Sequence, residues 1–192
     1  MPWLARITKI YVPAGWFQRG GAAMASGSLP SEPVWLDGFV IDRFPVSNRQ
    51  YQAFLDALVA TDRLAEAEHY APREQTGGPF VGRREGARYL LPESWLPDAP
   101  VVDIDWWCAT AYALWSGARL LSEDEWEKAA RGVDQRVYPW GNGFDASFCR
   151  MRDSVEGASA TASVDSHPVD ESPYGVRGLA GNPCTWCARR AT

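Results

Sequence analysis

"APVVDIDWWCATAYALWSGARLLSEDEWEKAARG" (residues 99–132) is dense in helix punctuation. Ser122 with Glu125 forms a capping box, and Glu123 and Asp124 sit at the positive end of the helix dipole. Lys128 and Arg131 stand near the other end, before Gly132. Upstream, Asp105 is placed to cap a shorter helix that Gly117 stops, with Trp107, Ala111, Leu114 and Trp115 expected along one face. Cys108 falls on the apolar side of that helix, where a free thiol packs rather than ligates. Capping and dipole effects account for the acids of the second helix, whereas Asp103 has no such explanation.

On the N-terminal side, residues 7–21 alternate apolar and polar up to Pro13 and then turn through Gly15, a strand entering a loop. A second strand is expected through Phe39 and Ile41. The helix after it opens on a Ser47/Gln50 capping box and buries Tyr51, Phe54, Leu55 and Leu58, spaced i, i+3, i+4 and i+7. Residues 62–98 show no sustained period and read as an irregular excursion with a short strand near "ARYLL". On the C-terminal side, "VYPWGNGFD" is a turn-rich aromatic loop, and no helix of useful length is expected beyond Ala146.

The 192 residues suffice for one compact domain. Ten Trp, seven Tyr and seven Phe, with 17 Gly and 14 Pro, favour a loop-rich fold pinned by aromatics. A net charge of -5 without a basic patch argues against nucleic acid or an anionic membrane as partner. The N-terminus has no apolar run of signal-peptide length and no stretch approaches a membrane span, so a cytoplasmic location is expected.

Cys184 and Cys187 form the chain's one close pair of candidate ligands, a C-x-x-C. Four-ligand zinc would need Cys108, Cys149, His69 or His167 as well, and a thioredoxin-like site would need a helix following the pair. His69 and His167 lie far apart, each with the character of a surface residue. Asp165, Asp170 and Glu171 are hard oxygen donors in a loop, open to a calcium reading or to plain solvation. Phosphate-binding, dinucleotide and nucleophile-elbow motifs are absent.

Taken together, "VWLDGFVIDRFPVSNRQYQAFL", "PVVDIDWWCATAYALWSGARLLSEDEWEKAARG", "YPWGNGFD" and "DSHPVDESPYGVRGLAGN" resemble the formylglycine-generating enzyme, or sulfatase-modifying factor, family. "VPAGWF", "CRMRDS" and "PVDESPYGVRG" resemble the form found attached to bacterial serine/threonine protein kinases. The resemblance implies an α+β, irregular C-type-lectin-like fold over residues 1–192. Active relatives are copper-dependent oxidases that convert a sulfatase cysteine, within Cys-x-Pro-x-Arg, to formylglycine. Other members only bind ligands, so a lectin-like module for a peptide or protein, accessory to a kinase, is the alternative.

Departures from the pattern shape the expected site. The family's G-N-V-W-E-W falls here on "GNPCTW": Gly181, Asn182 and Trp186 match, while Pro183, Cys184 and Thr185 differ. The family's later copper-binding cysteine segment is not in this sequence, so the chain is expected to be C-terminally incomplete and inactive by itself. Of one implied calcium site only the carbonyls of Gly181 and Pro183 remain, since Gly178 and Thr185 carry no carboxylate. A second implied calcium site falls on Glu156.

Overall fold

The computed structural model describes residues 8–22, 28–74, 82–86, 88–92, 95–151, 154 and 161–188. Its first feature is a two-stranded ribbon. Strand β1 (Lys9–Val12) pairs antiparallel with β4 (Phe39–Asp42), and β2 (Gly15–Arg19) with β3 (Glu32–Leu36). Val12 faces Phe39 and Gly15 faces Leu36, so the same register continues across the break between the two pairs. The loop expected after Pro13 is a correction: the chain resumes at once as β2, and the second expected strand, through Phe39 and Ile41, is preceded by β3 across an Asp-Gly step. Val12 and Phe17 both face inward although their spacing is odd, which the break at Pro13-Ala14 allows.

Helix α1 (Asn48–Ala60) starts on the expected capping box, with Ser47 Oγ accepting from Gln50 N–H and the Gln50 side chain closing back on Ser47. Its buried face is the predicted one: Tyr51, Phe54, Leu55 and Leu58 are at most 2% exposed. They pack with Ala67 of α2 (Leu64–Tyr70), Tyr89 of β6 (Arg88–Leu90) and Cys108 of α3 (Trp106–Trp115). Helix α2 lies in the stretch expected to be irregular. It buries only Ala67, which leaves almost no periodic signal in "LAEAEHY". A short hairpin, β5 (Arg83–Glu85) with β6, follows.

Asp105 caps α3, its carboxylate accepting from Cys108 N–H at 2.8 Å. The face expected inside is a correction, however. Trp107 and Leu114 are 61% and 69% exposed, while Cys108 and Ala113 are buried. Of the expected face, Ala111 does pack against the core and the Trp115 ring lies 5.4 Å from that of Phe54. The helix is apolar all round, so periodicity cannot choose its face, and Trp107 is left outside.

Helix α4 (Glu123–Arg131) has both halves of its Ser122/Glu125 capping box. Lys128 and Arg131, expected to serve the dipole, are buried and turn onto the ribbon, Arg131 Nη1 donating to Gly20 O at 2.9 Å. Ala129 packs against the facing pair Val12 and Phe39, forming a second, smaller core. The aromatic loop after α4 closes at a Tyr138–Gly141 bridge, with Tyr138 and Trp140 stacked at 5.1 Å. Among the described residues no helix is long and apolar enough to cross a membrane.

Candidate functional site

The segment "GLAGNPCTWCA" (178–188) is the strap on which most expected site residues lie, and a buried acid shapes its entry. Asp170 is 2% exposed, and both its carboxylate oxygens accept from Ala180 N–H at 3.2 Å, while its carbonyl accepts from Gly178 N–H. Burial raises the Asp170 carboxyl above the usual aspartate range, opposed by the N–H groups of Ala180 and Leu179. Gly181 lies so close to Arg150 that a β-carbon would collide with its carbonyl oxygen. Asn182 takes φ +71° and donates its N–H to the same carbonyl at 2.6 Å. Its side-chain amide pairs reciprocally with Ala162, at 2.8 and 3.1 Å.

Beyond Asn182 the strap crosses the N-terminal ends of α3 and α4. Trp186 Nε1 donates to Ile104 O at 3.1 Å, Trp106 Nε1 to Cys187 O at 2.8 Å, and Ala188 N–H to Leu121 O at 2.7 Å. Between strap, α3 and β4 lies a cavity of about 560 Å³. Its wall is largely apolar, with Val46, Tyr112, Leu121, Val176, Leu179 and Trp186 among the lining residues. Such a concave, mostly apolar site with a few polar groups is the usual form of a ligand pocket.

The charges on this wall are almost all matched. Lys9 pairs with Asp42 at 2.6 Å, and Arg119 makes a bidentate pair with Glu125 at 2.6 and 2.7 Å. Arg177 lies 3.8 Å from Glu171, which also holds Arg43 at 2.9 Å, and both arginines flank the Phe44 ring. Asp103 is exposed and has no ion-pair partner among the described residues. Its φ of +58° is disfavoured for a side-chain-bearing residue, and Asn182 on the same wall shares that conformation.

The C-x-x-C does not converge on one site. Cys184 is exposed on the cavity just described, whereas Cys187 lines a second cavity of about 430 Å³ with Glu123 and Glu127. Burial, then the carboxylates of Glu123 and Glu125, raises the Cys187 thiol pKa, which disfavours the thiolate a metal needs. Cys108 and Cys149 are buried, and burial pushes both thiols up to about 11. No group of three or more His, Cys, Asp or Glu among the described residues could hold a metal. The two cysteines therefore do not fit a shared copper ion. Gly181 and Pro183 could offer calcium only carbonyl oxygens, and Asp170 beside them is committed to Ala180 N–H, short of the six or more oxygens calcium takes. Glu156 lies outside the described residues.

Of the remaining candidates, His69 is exposed, and His167 Nδ1 lies 2.8 Å from Ser166 Oγ. Asn182, Pro183, Cys184 and Trp186 line the first cavity, so the structure does gather most of the strap motif. Sequence reasoning missed Arg43, Phe44 and Arg177, which meet although Arg43 and Arg177 are 134 positions apart. The "YGVRG" turn was their one local signal.

A family model for the sulfatase-modifying factor enzyme 1-like domain matches residues 5–191. The formylglycine-generating enzyme of Thermomonospora curvata is 34% identical over 217 residues, covering 93% of this chain and 70% of that protein. Serine/threonine-protein kinase Pkn1 of Chlamydia trachomatis is 34% identical over 179 residues, covering 93% of this chain but 27% of the kinase. Among solved structures, PvdO from Pseudomonas aeruginosa shares the fold, with a TM-score of 0.61 at 22% identity over 89% of this chain and 66% of that one. With the match extending over nearly its whole length, this chain belongs to the sulfatase-modifying factor enzyme 1-like domain family.

Proposed function

We propose that this chain is a binding module of the formylglycine-generating type, which takes a peptide segment of another protein into the 560 Å³ cavity and does not oxidise it by itself. The observation that carries this reading is the arrangement of the strap. The family-motif residues Asn182 and Trp186 wall an apolar cavity, while Cys184 and Cys187 open onto different cavities. The scaffold is a C-type-lectin-like one, in which loops held by a few helices carry the site. Similarity to a chlamydial kinase of which the domain is 27% supports a role accessory to a serine/threonine kinase.

A second reading, an oxidase acting on a sulfatase-type cysteine, is favoured by the 34% identity to the Thermomonospora enzyme. One experiment separates the two. The protein is incubated with a Cys-x-Pro-x-Arg peptide, copper and oxygen, and followed by oxygen electrode and mass spectrometry. Binding without oxygen uptake is expected; formation of the formylglycine peptide would establish the oxidase instead.

A further inference from the structure

We infer that the outer face of the ribbon continues the larger cavity, and that it docks a large apolar residue lying about five residues further along the same bound segment. The inference rests on the cavity taking a peptide, as proposed above.

In β1 and β4 the inward positions are Val12, Phe39 and Ile41, so alternation turns Lys9, Tyr11, Val40 and Asp42 to the opposite face. In β2 and β3, Phe17 is inward and Trp16 stands opposite Trp35, their rings 5.7 Å apart and at 74° to each other. Tyr11, Trp16, Trp35 and Val40 are all between 51% and 64% exposed. They form one run rather than two separate pairs. A β-carbon on Gly38 would collide with the Tyr11 hydroxyl, so the tyrosine ring lies over the break, between Val40 and Trp35. Asp37 accepts from Trp35 Nε1 at 3.4 Å and steadies that indole. A cross-strand ring pair supports a ribbon by itself, but that role does not call for Tyr11 and Val40 on the same open face.

Two observations choose the occupant. Val40, with Lys9 and Asp42, also lines the larger cavity, so the run begins at the cavity rim. Its area argues against a second copy of the chain: three aromatic side chains at this exposure present about 350 Å², against roughly 800 Å² per partner in a stable dimer. A strip one ribbon wide that opens from a pocket fits a single extended segment. Lys9 and Asp42 pair with each other at 2.6 Å, so the strip attracts chiefly through burial of its rings. From Val40 back to Trp35 the strand covers at most about 17 Å, which an extended peptide spans in about five residues. The notch between the two steeply inclined indoles then receives a large apolar side chain, and an aromatic one gains edge-to-face contact as well.

Isothermal titration calorimetry tests this with Ac-Phe-Ser-Gly-Ser-Gly-Leu-Ser-Leu-NH2, with the same residues in reversed order, and with counterparts carrying Gly in place of Phe. The proteins are the wild type and Trp16→Thr, a circular dichroism melt checking the fold of the variant. In one of the two orders the Phe peptide should bind the wild type about tenfold more tightly than its Gly counterpart. Trp16→Thr should remove that gain without weakening the Gly counterpart. On the wild type alone, a benzophenone in place of the phenyl ring should photo-cross-link to Tyr11, Trp16 or Trp35, mapped by mass spectrometry. Cross-links confined to the exposed Trp107 and Leu114 of α3 would overturn the inference. So would a concentration-dependent dimer in sedimentation velocity that Trp16→Thr abolishes, since a second copy would then be the occupant. If Phe and Gly peptides bind alike in both orders, the ribbon extension is wrong while the cavity reading stands. If no peptide binds, both fall.

Discussion

Lys128 Nζ lies 2.9 Å from the carbonyl oxygen of Gly15 and 2.8 Å from that of Pro13, with the lysine 1% exposed. The ammonium thus sits where the ribbon's ladder lapses between Val12 and Gly15, and ties α4 to both sides of that break. A buried charge is tolerated only when hydrogen-bonded, and here backbone carbonyls supply the partners.

Replacing Lys128 by Met should therefore cost about 3 kcal/mol, since two acceptors lose a charged donor in a buried setting. Urea denaturation measures it. A loss below about 1 kcal/mol would mean that water reaches these carbonyls in the variant.

Asp170→Ala should loosen the turn into the strap, because Ala180 N–H loses its acceptor. A loss of about 2 kcal/mol is expected, together with weaker binding in the cavity that Leu179 and Asn182 line. Unchanged ligand affinity in a destabilised variant would show that the strap holds its place without Asp170.

Acid sensitivity should follow Glu125. The Arg119 guanidinium, aided by Ser122 N–H, holds its carboxyl below the usual glutamate range in the folded state despite its burial. With the folded value depressed, the stabilisation is complete above the ordinary glutamate pKa and is lost as pH falls through the lower, folded value. Glu125→Gln should flatten the stability-against-pH curve in that acid window, measured by urea melts at a series of pH values. An unaltered slope would assign the acid response to other groups.

Thiol labelling should proceed in a set order. Cys184 is exposed and should react first with Ellman's reagent, and Cys187 more slowly, its thiol raised by burial and by Glu123 and Glu125. Cys108 and Cys149, buried and pushed up to about 11, should react only on unfolding. Simultaneous protection of Cys184 and Cys187 by one equivalent of a soft metal would contradict their separation into two cavities.

Legibility in the sequence tracked the range of each interaction. The starts of α1, α3 and α4 were all readable, because Ser47–Gln50, Asp105–Cys108 and Ser122–Glu125 are hydrogen bonds spanning three residues. The core face of α1 was readable too, since only one of its faces is apolar. Helix α3 was not, because an all-apolar helix carries no directional pattern, and α2 was not, because a single buried alanine makes no period. For the site, the strap's position in the family motif could be read, but not the partners that hold it: Ile104, Leu121, Arg150 and Ala162 are distant in sequence.

By itself, then, the sequence determined where helices begin, the loop-rich character and the order of motifs that marks the family, all properties of neighbouring residues or of composition. Tertiary structure alone decided that Trp107 and Leu114 face outward, that Lys128 ties α4 to the ribbon, that Cys184 and Cys187 open onto different cavities, and that Arg43 and Arg177 share Glu171 beside the Phe44 ring. Each depends on which distant surfaces come together, and burial energy settles that over the whole chain rather than within any one stretch.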